Sequence, residues 1–526
     1  MNYCKFTTSL CLVLLVFTLA SPVMTGAEIK VEVKAETKTV TVDEELIEPE
    51  NKAVERFNLV FDTPEIETIL VERLNRSTLM AKEIKETYAI KNREIIWGYL
   101  IYDTYSFKNG DLYYYMKYTP WSNQAGDISL LLPFAPEQFD LRTIEYPKGL
   151  DQSSSIIKLY EKQSVADNVL SSLLPGSVYI DSEDLNCFFS YTSVYEKYPY
   201  QIREELYEKS ISIPLSANGF KISLPAGGNS FSEQWGILSH NELVNWSDMA
   251  TVDAIRVADL SRVRKWGGDG SYYTLPVGYS PYSANGFYRN NANHIGDKFI
   301  RSTGGMFEDF GYVTMDTLIK TQTTDGFWGT SPRSDWLYKD YKIGAGFFDT
   351  RWDTEAAFFL LKGYRRFKEP QALEAASAYA NFYCNFALSH SYKTINGGIL
   401  VYDYGFDAIP GIKTHVSLNH LISEMNFLLE MYITTQDQSY LDVADRILTG
   451  VRDTGSSWVN KVNGDLHYAY LVNGKYGLID YPTLTLNDLR YAQSLIRKVY
   501  EEEETTITKL IEAKEKYLKA HKIAYY

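Results

Sequence analysis

Cysteine is nearly absent. Of four in 526 residues, Cys4 and Cys11 fall in the first eleven positions, leaving only Cys187 and Cys384. A small disulfide-stapled scaffold is excluded, and Cys384, within the helical NFYCNFALS, reads as a buried thiol packing as a small hydrophobe. Long apolar runs are missing too. Beyond residue 27 no stretch reaches the ~18 apolar residues of a membrane-spanning helix. Positive charge is scarce, 52 Lys and Arg against 67 Asp and Glu for a net charge of −15, so nucleic acid is disfavoured as a partner. The seven histidines show no metal-ligand spacing; His415 and His420 stand five apart and share a helix face poorly. No phosphate-binding loop, dinucleotide fingerprint or Ser-His-Asp arrangement is found, and no cofactor is expected.

What is present divides the chain. Residues 1–27 read as a secretory signal, with Lys5, an apolar run over 9–20 and Thr25-Gly26-Ala27, so an extracytoplasmic protein is expected. Residues 28–93 read as a charged leader and an N-terminal helix over 65–91, where Ile66, Ile69, Leu70, Leu74 and Leu79 recur. From residue 94 the period becomes two, and Asn109-Gly110 and Asn218-Gly219 mark hairpin turns. A β-rich domain over 94–230 is expected, with a helical excursion at 151–174. Residues 231–305 read as a helix (244–266) and a long loop. Residues 306–526 read as helix after helix, at 307–322, 353–367, 371–388, 415–434, 439–450, 484–500 and 505–521, with breaks at Glu369-Pro370 and Gly450. The fold class is therefore multidomain α+β, a β-rich domain followed by an incomplete α/α toroid.

One segment breaks the helical rhythm. Residues 453–487 alternate like a small sheet and carry Asn463-Gly464 and Asn473-Gly474 turns. They present Trp458, His467, Tyr468, Tyr470, Asp480 and Tyr481, amphipathic groups suited to sugars. Tyrosine is abundant, 42 residues, so the default role of any single one is packing.

The order of several motifs resembles the C-terminal domain of the D-glucuronyl C5-epimerase family over about residues 307–495. They are Asp316 to Gln322 followed by Asp325-Gly326-Phe327-Trp328; Thr354-Glu355-Ala356-Ala357 with Leu360, Leu361 and Tyr364; Val401-Tyr402-Asp403-Tyr404 leading to Val416-Ser417-Leu418-Asn419; Asp453-Thr454-Gly455-Ser456; and Ile479-Asp480-Tyr481. The family's Glu before Tyr is Asp403 here, and its third tyrosine has no match at equal offset; Tyr468 and Tyr470 are nearest. The Trp352 to Glu355 context of Arg351 looks more like toroid hydrolases and lyases.

The resemblance implies inversion of a uronate at C5 within an anionic polysaccharide. A base removes the proton next to the carboxylate on one face, an acid returns one on the other, and the enolate-like charge is stabilised. Tyr481 and Tyr404 take those roles by resemblance, with Tyr468 or Tyr470 as the third tyrosine. One must be ionised, which for a group of pKa ~10 calls for a nearby cation or strong donors. Asp403 would orient a tyrosine or meet a sugar hydroxyl. Arg351, Lys413 and Arg490 are the cations to bind the carboxylate, Asn419 would orient it, and Trp458 and Tyr470 would line the sugar path. Asp349, Asp353 and Glu355 are the alternative, a glycosidase carboxylate pair. A polysaccharide lyase, a toroid glycoside hydrolase and a non-catalytic glycan-binding protein stay open, and homodimerisation is compatible with the sequence.

Overall fold

Strand Leu112–Pro120 shows how two cores are divided. Its alternating side chains serve opposite faces: Tyr113 and Tyr115 pack in one cluster with Phe310, while Tyr114, Met116 and Tyr118 pack in another with Leu130 and Ile222. The neighbouring strand Ser230–Ser239 has all ten residues buried, paired from Ser232↔Tyr118 to Leu238↔Leu112. Burial on both faces accounts for the apolar run Leu112 to Met116. The computed structural model describes residues 53–525 apart from 133–135, 146–155, 165–166, 168–175, 214, 217–218, 259–263, 290–293 and 303. The expected signal segment and Asn218 lie outside the described residues.

Around this pair runs a fourteen-stranded antiparallel sheet. A four-stranded sheet built from Val60–Phe61, Ile128–Leu132, Leu215–Ser216 and Gly219–Leu224 shares the second cluster. Helix α3 (Gly305–Thr321) takes the other face, so sheet and helices share one core. Tyr105 donates to Asp316 Oδ2 at 2.7 Å, and Arg76 and Lys320 close charge pairs with Asp316 and Glu83 across the same junction.

Three expectations are corrected here. Residues 65–91 are not a helix but the hairpin Ile66–Ser77 and Ala81–Asn92. A bulge between Leu70 and Glu72 interrupts the two-residue period and puts apolar residues at helix-like intervals. Because the first strand is largely exposed, burial does not enforce a clean alternation there either. Among the described residues of the excursion at 151–174 there is the strand Ile156–Gln163 and no helix of the expected kind. The stretch read as a helix and a long loop contains a shorter helix α1 (Met249–Ala258), strands Arg264–Gly267, Gly270–Thr274 and Gly286–Arg289 of the large sheet, and α2 (His294–Arg301).

The helices that follow match the periodic segments: α3 (Gly305–Thr321), α5 (Thr350–Phe367), α6 (Pro370–Ser389), α7 (Leu418–Thr435), α8 (Gln438–Thr454), α9 (Leu484–Tyr500) and α10 (Thr505–Ala520), with a short α4 (Asp335–Tyr341) added. Helix α7, buried over most of its length, packs against α5, α8 and α9. The neighbours α5 and α6, α7 and α8, and α9 and α10 pack as pairs, which gives the α/α part of the toroid expectation. Cys187 and Cys384 are both free, and burial pushes both thiols up.

Pro370 opens α6, where its missing N–H costs nothing. Gly450, expected as a break, instead lies inside α8. A Cβ there would meet Ile399 O at 2.3 Å, so glycine lets the strand Ile399–Val401 touch the helix backbone. Gly450→Ala is expected to lower stability by about 1–3 kcal/mol through forced separation of strand and helix; urea unfolding checks this, and an unchanged midpoint would show that the contact yields freely.

Candidate active site

Three loops meet where helices begin. Phe348–Asp349 pairs with Tyr404–Gly405, setting Asp349 opposite Tyr404. Asp349 also caps α5, its Oδ1 accepting the N–H groups of Arg351 and Trp352 at 3.0 and 3.1 Å. Val416–Ser417 pairs with the strand carrying Tyr468 and Tyr470, and that strand pairs with Tyr476–Ile479. The meander expected over 453–487 is thus present, turning at Asn473-Gly474 where Gly474 has φ 80°.

Asp403 joins these loops. It is 0 % exposed. Oδ1 accepts Ser417 N–H at 2.8 Å, Ser417 Oγ donates to Oδ2, and His415 Nε2 lies 3.1 Å from Oδ2. Its main chain accepts from Thr350 N and donates to His415 O. Tyr341 hydroxyl pairs with His415 Nδ1 at 2.9 Å, and Thr350 Oγ1 with His420 Nδ1 at 3.0 Å. Burial alone would raise the Asp403 carboxyl, but the two histidines and the Ser417 and His415 hydrogen bonds hold it below the usual range. Burial pushes His420 down to about 4, so its imidazole is neutral. Enclosed in this way, Asp403 neither meets a sugar hydroxyl nor orients a tyrosine directly. It positions loops.

Tyr404, Tyr468 and Tyr481 are brought together. Tyr404 and Tyr468 both pack on His415, at ring distances of 5.6 and 6.1 Å, and Tyr468 meets Tyr481 edge-on at 5.7 Å. Exposure rises from floor to mouth: Tyr404 is 6 % exposed and Tyr481 52 %. Trp336, also well exposed, lies 5.3 Å from His415. Burial, with Asp349 and Asp403 near, pushes the hydroxyls of Tyr404 and Tyr468 up. The expected ionised tyrosine is therefore not met at either of these two positions. Carboxylates, not cations, face them.

Asp349 shows the opposite departure. Two helix N–H donors favour its charge, yet burial outweighs them and the Asp403 charge adds to it, raising Asp349 to about 8. A carboxyl with that proton affinity, facing Tyr404, exchanges protons near neutral pH.

The remaining expected residues lie in other settings. Arg351 donates to both oxygens of Asp488, to Glu355 and to Asn419 O, so its guanidinium is committed. Asn419 is buried. Trp458 is 0 % exposed and donates to Thr454 Oγ1 at 2.9 Å, which removes it from any sugar path. Tyr470 packs against Tyr392 and Tyr476 in a separate aromatic group. Arg490 pairs with Glu515, and Lys413 is exposed on the loop before Thr414. Asp353 is fully buried and accepts Trp328 N–H, a structural role.

Three residues were missed by sequence reasoning. His415 and His420 act as packing and hydrogen-bonding partners, and their five-residue spacing gave no such signal. Arg289 lines a 440 Å³ cavity with Gln201, Thr323 and Ser331. It touches Tyr272 hydroxyl at 3.3 Å and comes no nearer than 4.0 Å to Asp269, which Arg203 holds with both oxygens. Among the described residues no group of three or more His, Cys, Asp or Glu side chains converges as metal ligands, and no helix is long and apolar enough to cross a membrane.

No family model matches the chain, and no curated protein matches it. Among solved structures, a family 76 glycoside hydrolase from a bovine Bacteroides thetaiotaomicron strain is 9% identical with a TM-score of 0.35, covering 85% of this chain and 77% of its own. A D-mannose isomerase is 13% identical with a TM-score of 0.33, covering 44% of this chain, which spans 60% of that protein. The cellobiose 2-epimerase of Spirochaeta thermophila DSM 6192 is 13% identical with a TM-score of 0.33, covering 44% and 57%. Overlaps of that size leave each activity with the protein that carries it.

Two predictions follow from the charges. A raised carboxyl binds its proton more tightly folded than unfolded, so Asp349 contributes stability below pH ~4 that is lost as pH rises through about 8. Asp349→Asn keeps the cap and removes this dependence; its unfolding midpoint should rise relative to the parent between pH 5 and pH 8, and a constant difference would contradict the raised carboxyl. Lys514, 0 % exposed, bridges Asp465 and Asp480 at 2.7 Å each, and Thr485 also donates to Asp480 beside Tyr481. Lys514→Met strands two buried carboxylates and is expected to cost about 3–5 kcal/mol, read by urea unfolding, with amide exchange around Asp480 speeding first.

Proposed function

We propose that this chain is a carbohydrate-active enzyme that exchanges a proton at a sugar ring carbon, and that the carbon is C5 of a uronate within a polysaccharide. One observation carries this reading: three tyrosines from two loops gather around His415, and a carboxyl raised to about 8 stands opposite one of them, Tyr404. Uronate specificity draws on the motif resemblance. The apolar N-terminal run supports export, which suits a polymeric substrate.

The chemistry follows from the proton affinities. At neutral pH a minor fraction of Asp349 is ionised, and that form takes the C5 proton. Neutral phenol O–H groups donate hydrogen bonds to the sugar carboxylate as it becomes enolate-like, the role of a cation filled by dipoles. Tyr468 or Tyr481 then delivers a proton to the opposite face of C5, and solvent at the exposed mouth restores it. Asp349 returns its own proton to water, so none is gained or lost over the cycle.

The rival assignment of a glycosidase pair is weaker. Asp349 qualifies as its acid, but Asp353 is spent on Trp328 N–H and Glu355 is held by Arg351 at 2.7 Å.

Incubation with uronate polysaccharides in D₂O should place deuterium at C5 without ultraviolet absorbance from 4,5-unsaturation and without new reducing ends. Asp349→Asn, Tyr468→Phe and Tyr481→Phe should each lose about 10²–10⁴-fold in that exchange while staying folded. Unsaturation would make the protein a lyase, and new reducing ends a hydrolase. Undiminished exchange in any variant removes that residue from the proton path.

A further inference from the structure

The ribbon of Phe348–Asp349 and Tyr404–Gly405 has two faces. Asp349 and Tyr404 belong to the tyrosine cleft, whereas Phe348 and Gly405 line a separate cavity of 690 Å³ beneath α6. That volume falls within the ~300–1,000 Å³ of ligand sites, and nothing in the proton-transfer chemistry uses it.

Its walls combine aromatic faces with planar polar groups. Phe327 and Phe382 stack at 4.7 Å and 20°, and Phe386 and His390 at 4.5 Å and 3°. Phe348 meets Phe382 and Phe386 edge-on, at 4.9 Å each, and so fixes both stacks. A Cβ at Gly405 would stand 2.8 Å from Phe386, so glycine is what lets the ribbon lie against this aromatic floor. Asn381 and Asn385, one helical turn apart on α6, are exposed along one wall, and Asp325 and Asp407 stand on the loops opposite.

These features select a ligand class by elimination. No Lys or Arg lines the cavity while two carboxylates do, so an anionic group would meet repulsion. A wholly apolar ligand would strip water from two amides and two carboxylates without replacing it. A pyranose satisfies both halves: its C–H faces lie on the rings, and its hydroxyls donate to the carboxylates and exchange hydrogen bonds with the amides. Two amides at i and i+4 match neighbouring hydroxyls on one sugar edge better than the single charge of an organic cation.

We propose that this cavity is a second saccharide-binding site, separate from the tyrosine cleft and taking a short run of uncharged pyranose units. It holds whether or not the cleft acts on uronates.

The test uses the full chain and calorimetric titration with neutral hexasaccharides (cello-, manno-, xylo- and chitohexaose), a uronate hexasaccharide and choline. At least one neutral oligosaccharide should bind. Asn385→Trp, at an exposed position, should fill the cavity and weaken binding at least tenfold with an unchanged melting temperature. Asn381→Ala should weaken it less, and Asp349→Asn should leave it intact. The proposal is overturned if no neutral oligosaccharide binds, or if binding survives both asparagine variants. Preference for the uronate or choline overturns it too, as does loss of binding in Asp349→Asn, which would make the two sites one.

Discussion

The candidate site depends on one buried carboxylate. Asp403 accepts from the Ser417 main chain and hydroxyl and pairs with His415, while its own backbone ties Thr350 and His415. The segments before α5 and before α7 are thereby both tied to one residue that lies between them in the chain. A charge with this many partners is stable where an unpaired one would not be. Aliphatic replacement would leave Ser417 N–H and the His415 ring unsatisfied, and the tyrosine positions rest on both.

The second determinant is a contest between burial and dipole. Asp349 and Asp403 are both buried carboxyls near each other, yet they diverge: Asp403 collects enough donors to stay ionised, and Asp349, with two backbone donors on one oxygen, does not. Pairs of carboxyls pushed apart in this manner are how proteins separate an acid–base group from a fixed charge. The same field keeps Tyr404 and Tyr468 protonated, so proton donation suits them better than abstraction.

Much of this was legible in the sequence where local pattern and tertiary environment agree. Helices α5, α8, α9 and α10 each bury one stripe, α3 and α7 are buried over most of their length, and the segment 453–487 announces itself by its turns and alternation. Tyr404, Tyr468 and Tyr481 were named in advance and do converge. Legibility failed where a local signal answers to something distant. The bulge at Leu70 disguised a strand as a helix. Gly450 looked like a helix stop because its reason, contact with Ile399, comes from another segment. Arg351 looked like a free cation because Asp488, which holds it, lies 137 positions on. Trp458 looked sugar-facing because strand alternation does not say which face is covered.

The strut at Lys514 adds an order of events. The loop carrying Tyr481 is held by Asp480, and Asp480 is neutralised from α10. While α10 is undocked, Asp480 keeps the Thr485 hydroxyl but faces burial without its counter-charge, so that loop has reason to stay open and Tyr481 to stay away from Tyr468. Tyr404 packs on Trp336, Phe347, His415 and His420, all upstream of Ser423. The setting of Tyr481 therefore depends on the last helix of the chain, whereas that of Tyr404 does not.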